Sequence, residues 1–144
     1  MEIKRLSAGD ERELEQASVC FDHPIRAAAA RRFLKSDTHH ILIAYESGQV
    51  AGFVSGVETT HPDKGTEMFL YELAVIERFR KRGYGSALVR ALADLARERE
   101  CYGMWVLAER DDAAALKTYQ AAGGAPKSTS IMLSWDFRDP RLNF

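Results

Sequence analysis

At 144 residues, with 46% hydrophobic and 28% charged residues, the chain has the size and make-up of one globular domain, spanning 1–144, with a real core. Its formal net charge of −1 supplies no global drive toward nucleic acid or a membrane surface. Cys20 and Cys101 lie far apart without metal-ligand spacing, and no run resembles a signal peptide or reaches membrane-spanning length, so the expectation is a soluble, cytoplasmic protein with no metal.

In chain order, residues 2–6 read as a short first strand. Ser7 with Asp10 three residues on resembles a capping box, and Leu14, Ala17 and Phe21 supply the apolar stripe of a first helix. Pro24 suits the first turn of a second helix reaching to Leu34, with Ile25, Ala28, Ala29 and Phe33 inward. Residues 40–45 and 50–57 are β-rich runs separated by Glu46-Ser47-Gly48-Gln49, a hairpin signal. Residues 58–67 contain Pro62, Asp63, Lys64 and Gly65 and read as a longer turn. The next nine residues, 68–76, are apolar or aromatic except for Glu72, as in a strand covered on both faces.

A basic turn follows, with Arg78, Arg80, Lys81 and Arg82 within five positions, ending in Gly83-Tyr84-Gly85-Ser86. From there Ala87, Leu88, Ala91, Leu92, Leu95 and Ala96 recur at helical spacing. A strand, a glycine-containing basic turn and a helix start together make an anion site: the first-turn N–H groups are unpaired, the helix dipole is positive there, and glycine admits an oxygen close to the backbone. Residues 104–108 form a short apolar strand. Residues 111–122 form a helix closed by Gly123-Gly124. Residues 130–137 alternate and are expected to be the last long strand, with 138–144 as a tail.

Neither GxGxxG nor the P-loop pattern fits the basic turn. Arg80-x-x-Gly83-x-Gly85 instead resembles the pyrophosphate loop of the GNAT superfamily of acetyl-CoA-dependent N-acetyltransferases. Asp112-x-x-Ala115-x-x-x-Tyr119 followed by Gly123-Gly124 resembles the second cofactor-binding element of that superfamily, and the likeness runs from about Ile41 onward. Within it, Tyr71-Glu72-Leu73-Ala74-Val75 and the Asp111-Asp112 pair look most like the aminoglycoside 3-N-acetyltransferases. The implied fold is α/β, a mixed six- to seven-stranded sheet with helices on both faces, in the order β-αα-βββ-α-β-α-β. The two early helices then sit where the superfamily contacts its acceptor.

The resemblance also implies roles. Backbone N–H groups from Arg82 through Gly83, Tyr84 and Gly85 to Ser86 would cradle the pyrophosphate of acetyl-CoA, with Arg80, Lys81 or Arg82 offsetting its charge and Ala115 on the second element. Leu73, Ala74 and Val75 would offer free backbone groups to the pantetheine arm, and one of these N–H groups would polarise the thioester carbonyl. Glu72 would be the general base that deprotonates the amine. Burial beside Leu70, Tyr71, Leu73 and Ala74 is expected to raise its pKa toward a useful range, although a salt-bridged structural carboxylate is the bland alternative. Tyr119 would protonate the departing thiolate, unless it is simply core. Asp112 stands where the family often has asparagine, and would serve as a helix cap or face a cationic substrate.

Glu109, Asp111 and Asp112 are clustered acids expected to bind a cationic small-molecule amine, most plausibly an aminoglycoside, although acids at a helix start are stabilised without any ligand. A peptide or polyamine acceptor, or a CoA-binding sensor without transfer, are the other readings. Nucleic acid and membrane are not expected as partners, while a homodimer is compatible with the sequence. His39 and His40 are adjacent, point to opposite faces of a strand and are given no role. Cys101 has no partner histidine in recognisable spacing and is not expected to be a nucleophile.

Overall fold

The β-rich runs assemble into one five-stranded sheet, seen in a computed structural model that describes residues 1–138. Strand β1 is Glu2–Arg5, β2 His39–Glu46, β3 Gln49–His61, β4 Gly65–Val75 and β5 Met104–Trp105, lying side by side in that order. The first three junctions are antiparallel and the last is parallel. Connection length explains the difference. Ser47 and Gly48, both at positive φ, close the β2–β3 hairpin in two residues, whereas β4 returns through helix α3, Tyr84–Glu98, so β5 runs in its own direction.

Strict alternation along β2 divides the core in two. Ile41 and Ile43 point toward α1 (Glu11–Gln16) and α2 (Ala27–Lys35), where they meet Leu14, Ala17, Ala30, Leu34 and Phe53. Leu42 and Ala44 point the other way, into a cluster with Leu88, Leu92 and Leu95 of α3. Helix α4, Ala113–Ala121, packs beside α3 through Tyr119. At roughly 1.5–3 kcal/mol for each fully buried Leu, Ile or Phe side chain, these two apolar layers supply most of the drive that holds the sheet between helices.

Four local expectations are corrected. Helix α2 begins at Ala27 rather than near Pro24, and buries Ala30 and Leu34 rather than Ala28 and Ala29. Pro24 pushes the residue before it out of the helical region, and Arg26 is itself extended at the N-cap, so the helix starts a turn later. Residues 58–67 are not one long turn: β3 and β4 stay paired out to His61 opposite Gly65, helped by β-branched Thr59, Thr60 and Thr66 and by a 2.9 Å bond between the hydroxyls of Thr60 and Thr66. Strand β5 stops at Trp105. Residues 130–137 join no strand, so the sheet has five strands rather than six or seven. A strand needs a hydrogen-bonding partner, and this segment pairs with none of the five strands. The expected tail at 138–144 lies, beyond Arg138, outside the described residues.

Candidate active site

The placement of Glu72 comes from a register break. Leu70 stands opposite Gly56 and Glu72 opposite Ser55, so Tyr71 is an extra residue without a partner, a β-bulge in β4. Before it, Met68 and Leu70 point into the α3 cluster; after it, Leu73 and Val75 do, and Ala74 packs toward α1 and α2. The switch of parity puts Tyr71 and Glu72 on the same face, where both line a cavity of about 490 Å³ under α2. Glu72 is therefore not sealed in a two-sided core as its neighbours suggested, but opens into that cavity.

The cavity walls are mostly apolar, with Phe21, Pro24, Ile25, Phe33, Ile41 and Val57, and the polar groups are few: Asp22, His23, Arg26, His39, Ser55 and Glu72. Its volume suits a small molecule. Desolvation by these walls raises the Glu72 pKa above its ordinary 4.5, and the negative charge of Asp22 raises it further. His39 donates or accepts a 2.9 Å bond with Ser36 Oγ and lies edge-on to Phe33, while His40 points to the opposite face.

On the other side of β4 the sheet opens. Strands β4 and β5 pair only at Met68 with Met104 and Phe69 with Trp105, and β4 then continues to Val75 without β5 beside it. The edge along Leu73, Ala74 and Val75 faces this divergence. At its end, a 3-10 turn (Glu77–Phe79) leads through Lys81 and Gly83, both at positive φ, into α3. Gly83 is the N-cap, with φ of 86°, no side chain capping the helix and no atom within 4 Å of where a Cβ would stand. The first N–H groups of α3, at Tyr84, Gly85 and Ser86, thus begin at an end that no side chain caps. Uncapped first-turn N–H groups are what a phosphate group requires.

The cations of the turn are not equivalent. Arg78 donates a 2.9 Å bond to Gln49 Oε1 and lies over the Phe79 ring, and Arg82 pairs with Glu46, which also accepts a 2.6 Å bond from the Tyr84 hydroxyl. The Glu46 carboxyl is held below its usual range by the Tyr84 hydroxyl bond, with Arg82 adding to this. Arg80 donates to the Val75 carbonyl at 3.0 Å, and Lys81 is exposed. Among the described residues Arg82 is held by a carboxylate and Arg78 by the Gln49 amide oxygen, which leaves Arg80 and Lys81 as the cations of this turn without a side-chain acceptor. Gly85 has a different function from Gly83: a Cβ there would come within 3.0 Å of Thr118 Cγ2, so its absence lets α3 and α4 approach.

Helix α4 carries Ala115 and Tyr119. Asp112 caps it, its Oδ1 accepting from the Ala115 N–H at 3.0 Å. Tyr119 is partly buried against the α3 cluster, where desolvation raises its pKa above 10.0 and Asp112 adds to the rise. Its phenol thus stays a proton donor through neutral pH. Glu109, Asp111 and Asp112 are exposed and are not among the residues lining the Glu72 cavity. Asp22 is the acid that does line it, and the sequence analysis passed it over. It sits between two helices with no periodic pattern around it, and its one signal was that the resemblance assigned those helices to the acceptor.

The fold and both halves of the site can be set against known proteins. The model of the acetyltransferase (GNAT) family matches residues 9–123, most of the chain. The chain belongs to the GNAT acetyltransferases. These transfer an acetyl group from acetyl-CoA to an amine. Among solved structures, an aminoglycoside acetyltransferase from an uncultured soil metagenomic sample, in complex with sisomicin, superposes with a TM-score of 0.86 at 16% identity, covering 95% of this chain and 96% of that one. Aminoglycoside N-acetyltransferase AAC(6')-Iy in complex with CoA gives 0.79 at 20% identity, with 93% of each chain covered. A ribosomal-protein-alanine N-acetyltransferase from Brucella melitensis biovar Abortus 2308 gives 0.73 at 23% identity, covering 94% and 100%. No curated protein matches the sequence.

Among the described residues no helix is long and apolar enough to cross a membrane, and no group of His, Cys, Asp and Glu could hold a metal ion. Cys20 and Cys101 are free thiols whose pKa values burial pushes up, which leaves them poor nucleophiles at neutral pH.

Proposed function

We propose that this GNAT enzyme acetylates a primary amine of a small cationic molecule held in the cavity under α2. The observation that carries the reading is the Tyr71 bulge, which turns Glu72 out of the core and into that cavity. Glu72 removes the proton from the bound ammonium, directly or through water, and its raised pKa suits the task. Acetyl-CoA supplies the activated acetyl group. The α3 N-terminus with Arg80 and Lys81 holds the pyrophosphate, the edge of β4 at Leu73, Ala74 and Val75, where β5 is no longer paired, aligns the pantetheine arm, and Tyr119 donates a proton to the leaving thiolate.

For the acceptor, an aminoglycoside is the first class to test. Structural neighbours solved with sisomicin or as AAC(6')-Iy act on such compounds, and Asp22 and Glu72 give the cavity two carboxylates for ammonium groups. Acetylation at the 3-amino group is the finer form of this reading, prompted by the Tyr71–Val75 phrase. A second reading, an amine on an apolar or aromatic body, is supported by the Phe21, Ile25, Phe33 and Tyr71 walls. Incubation with acetyl-CoA and gentamicin-type and kanamycin-type aminoglycosides, aromatic amines and peptides, with products read by mass, decides between them. Acetylation of an aromatic amine or peptide with no aminoglycoside modified would reject the first reading and leave the acetyltransferase standing.

A further inference from the structure

The Tyr71 bulge orders more than the candidate base. Phe69 and Tyr71 are two residues apart on β4 and share a face, and the bulge adds Glu72 to that face instead of the opposite one. Phe69, Tyr71 and Glu72 therefore follow one another along a single side of the strand, and Trp105 stands beside Phe69 on β5. The three rings are in contact: Phe69 stacks on Trp105 with centroids 4.3 Å apart and meets Tyr71 edge-on at 5.8 Å. Tyr71 also lines the cavity into which Glu72 opens, so the aromatic row begins at the candidate site and leads out of it.

Core packing does not account for this row. Among the described residues, Phe69, Tyr71 and Trp105 belong to neither apolar cluster, and the helices on this side of the sheet pack over Ile41 and Ile43 of β2 and Phe53 of β3. Tyr71 is left 65% exposed and Trp105 43%. Apolar side chains exposed singly need no explanation, but a contiguous patch marks a binding surface. Aromatic faces suit two kinds of contact, the flat face of another ring and an ammonium group drawn to the ring quadrupole. An amine built of several rings offers both.

We infer that Phe69 and Trp105, joined to the cavity by Tyr71, form a second acceptor subsite that takes the far ring of a multi-ring amine by its face. The inference rests on the cavity under α2 being the acceptor site. Spacing sets what the subsite can reach. Three residues along β4, at about 3.3 Å each, put Phe69 roughly 10 Å from Glu72. A one-ring amine with its nitrogen at Glu72 stays within the cavity, whereas two or three linked rings extend onto the row. The subsite thus selects for length, and the cavity selects the nitrogen that reacts. Contacts so far from the reacting atoms are made equally in the ground state and the transition state, so they act on KM and leave kcat alone.

The test pairs a long acceptor with a short one: kanamycin with its one-ring core 2-deoxystreptamine, and 4-phenylbenzylamine with benzylamine, turnover being read by release of free thiol. For the long member of whichever pair is acetylated, Trp105→Ala is expected to raise KM by about fivefold to twentyfold. Its kcat, its KM for acetyl-CoA and its KM for the short member are expected to match the parent, which also shows that the variant is folded. Trp105→Phe keeps a ring and is expected to retain most of the preference for length. A second readout does not disturb the row. Trp105 and Trp135 are the two tryptophans, so Trp135→Phe leaves Trp105 as the sole emitter, and its fluorescence is expected to change on titration with the long member and not with the short one. An unchanged KM for the long member in Trp105→Ala, or a Trp105 emission unmoved while that amine binds, would overturn the subsite and leave the cavity reading standing. Failure of all four amines to bind or react would overturn both.

Discussion

Glu72 and Asp22 line one apolar cavity, and the effect of their proximity on Glu72 is testable. Desolvation by the cavity wall, with the negative charge of Asp22 added, makes Glu72 hold its proton to higher pH than an ordinary glutamate. A base must be deprotonated to work, so a raised pKa moves the acid limb of the kcat/KM profile to higher pH than an ordinary glutamate would give. Asp22→Asn removes the like charge and is expected to shift that limb to lower pH, with desolvation still holding it above an unperturbed carboxylate. Glu72→Gln is expected to lower kcat by about 10² to 10⁴ with acetyl-CoA affinity unchanged, the range typical of a general base. Equal kcat for Glu72→Gln and the parent from pH 6 to 9 would remove Glu72 from the mechanism. Tyr119→Phe is expected to slow turnover within the same range, read by release of free thiol.

At the scale of elements, the two glycines of the cofactor turn separate by their surroundings. Gly83→Val is expected to weaken CoA binding, measured by calorimetry, because a β-branched residue at φ of 86° is strained and would shift the turn that presents the first N–H groups of α3. Gly85→Val is expected to act on stability, at about 1–3 kcal/mol for overpacking, because it drives α3 away from Thr118. The sequence showed both glycines at the strand-to-helix junction, since local spacing and the change of period from strand to helix are enough for that. It also showed Tyr119 on its helix, and the two faces of His39 and His40. It did not show the Tyr71 bulge. Residues 68–76 are apolar with no alternation to interrupt, so nothing in their order marks where parity changes; the mark lies in which residues of β3 they oppose. Asp22 was missed for a related reason, because a cavity is made by segments that meet only after folding. The alternation of residues 130–137 was legible as a pattern, but a pattern does not supply a partner, and these residues join no strand.

For the whole molecule, acid sensitivity between pH 7.5 and 5.5, above the range where ordinary carboxylates take up protons, falls to its histidines, of which His40 is buried. The network around His40 is the main candidate, because it ties four parts of the fold together: Arg5 of β1, His40 of β2, Glu58 of β3 and Arg99 just after α3. Arg99 also donates to the Asp37 carbonyl at 2.9 Å. An arginine can only donate, so His40 Nδ1, 3.0 Å from the Arg5 guanidinium, must accept. The ring proton then sits on Nε2 and donates to Glu58 at 2.6 Å, which fixes a neutral histidine. Desolvation lowers the His40 pKa below its ordinary 6.5, and the Arg5 charge adds to this against the opposing pull of Glu58. Burial pushes the Glu58 carboxyl up, but its bonds from His40 and Arg99 outweigh that and hold it below 4.5. Both shifts have the same consequence. In each case the unfolded chain binds the proton more readily, so stability rises with pH through the window between the folded and unfolded values and falls as the medium is acidified. The histidine contribution is fully present above about pH 6.5 and is lost as pH drops through its lower folded value, while the Glu58 contribution is lost in a more acidic window. Urea midpoints are therefore expected to fall between pH 7.5 and 5.5, before the carboxylates of the network titrate. His40→Leu is expected to flatten that part of the profile while lowering stability at pH 7.5 by about 1–3 kcal/mol, because Arg5 and Glu58 lose a buried partner. A midpoint that falls just as steeply with acid in His40→Leu as in the parent would show that another group sets the acid sensitivity.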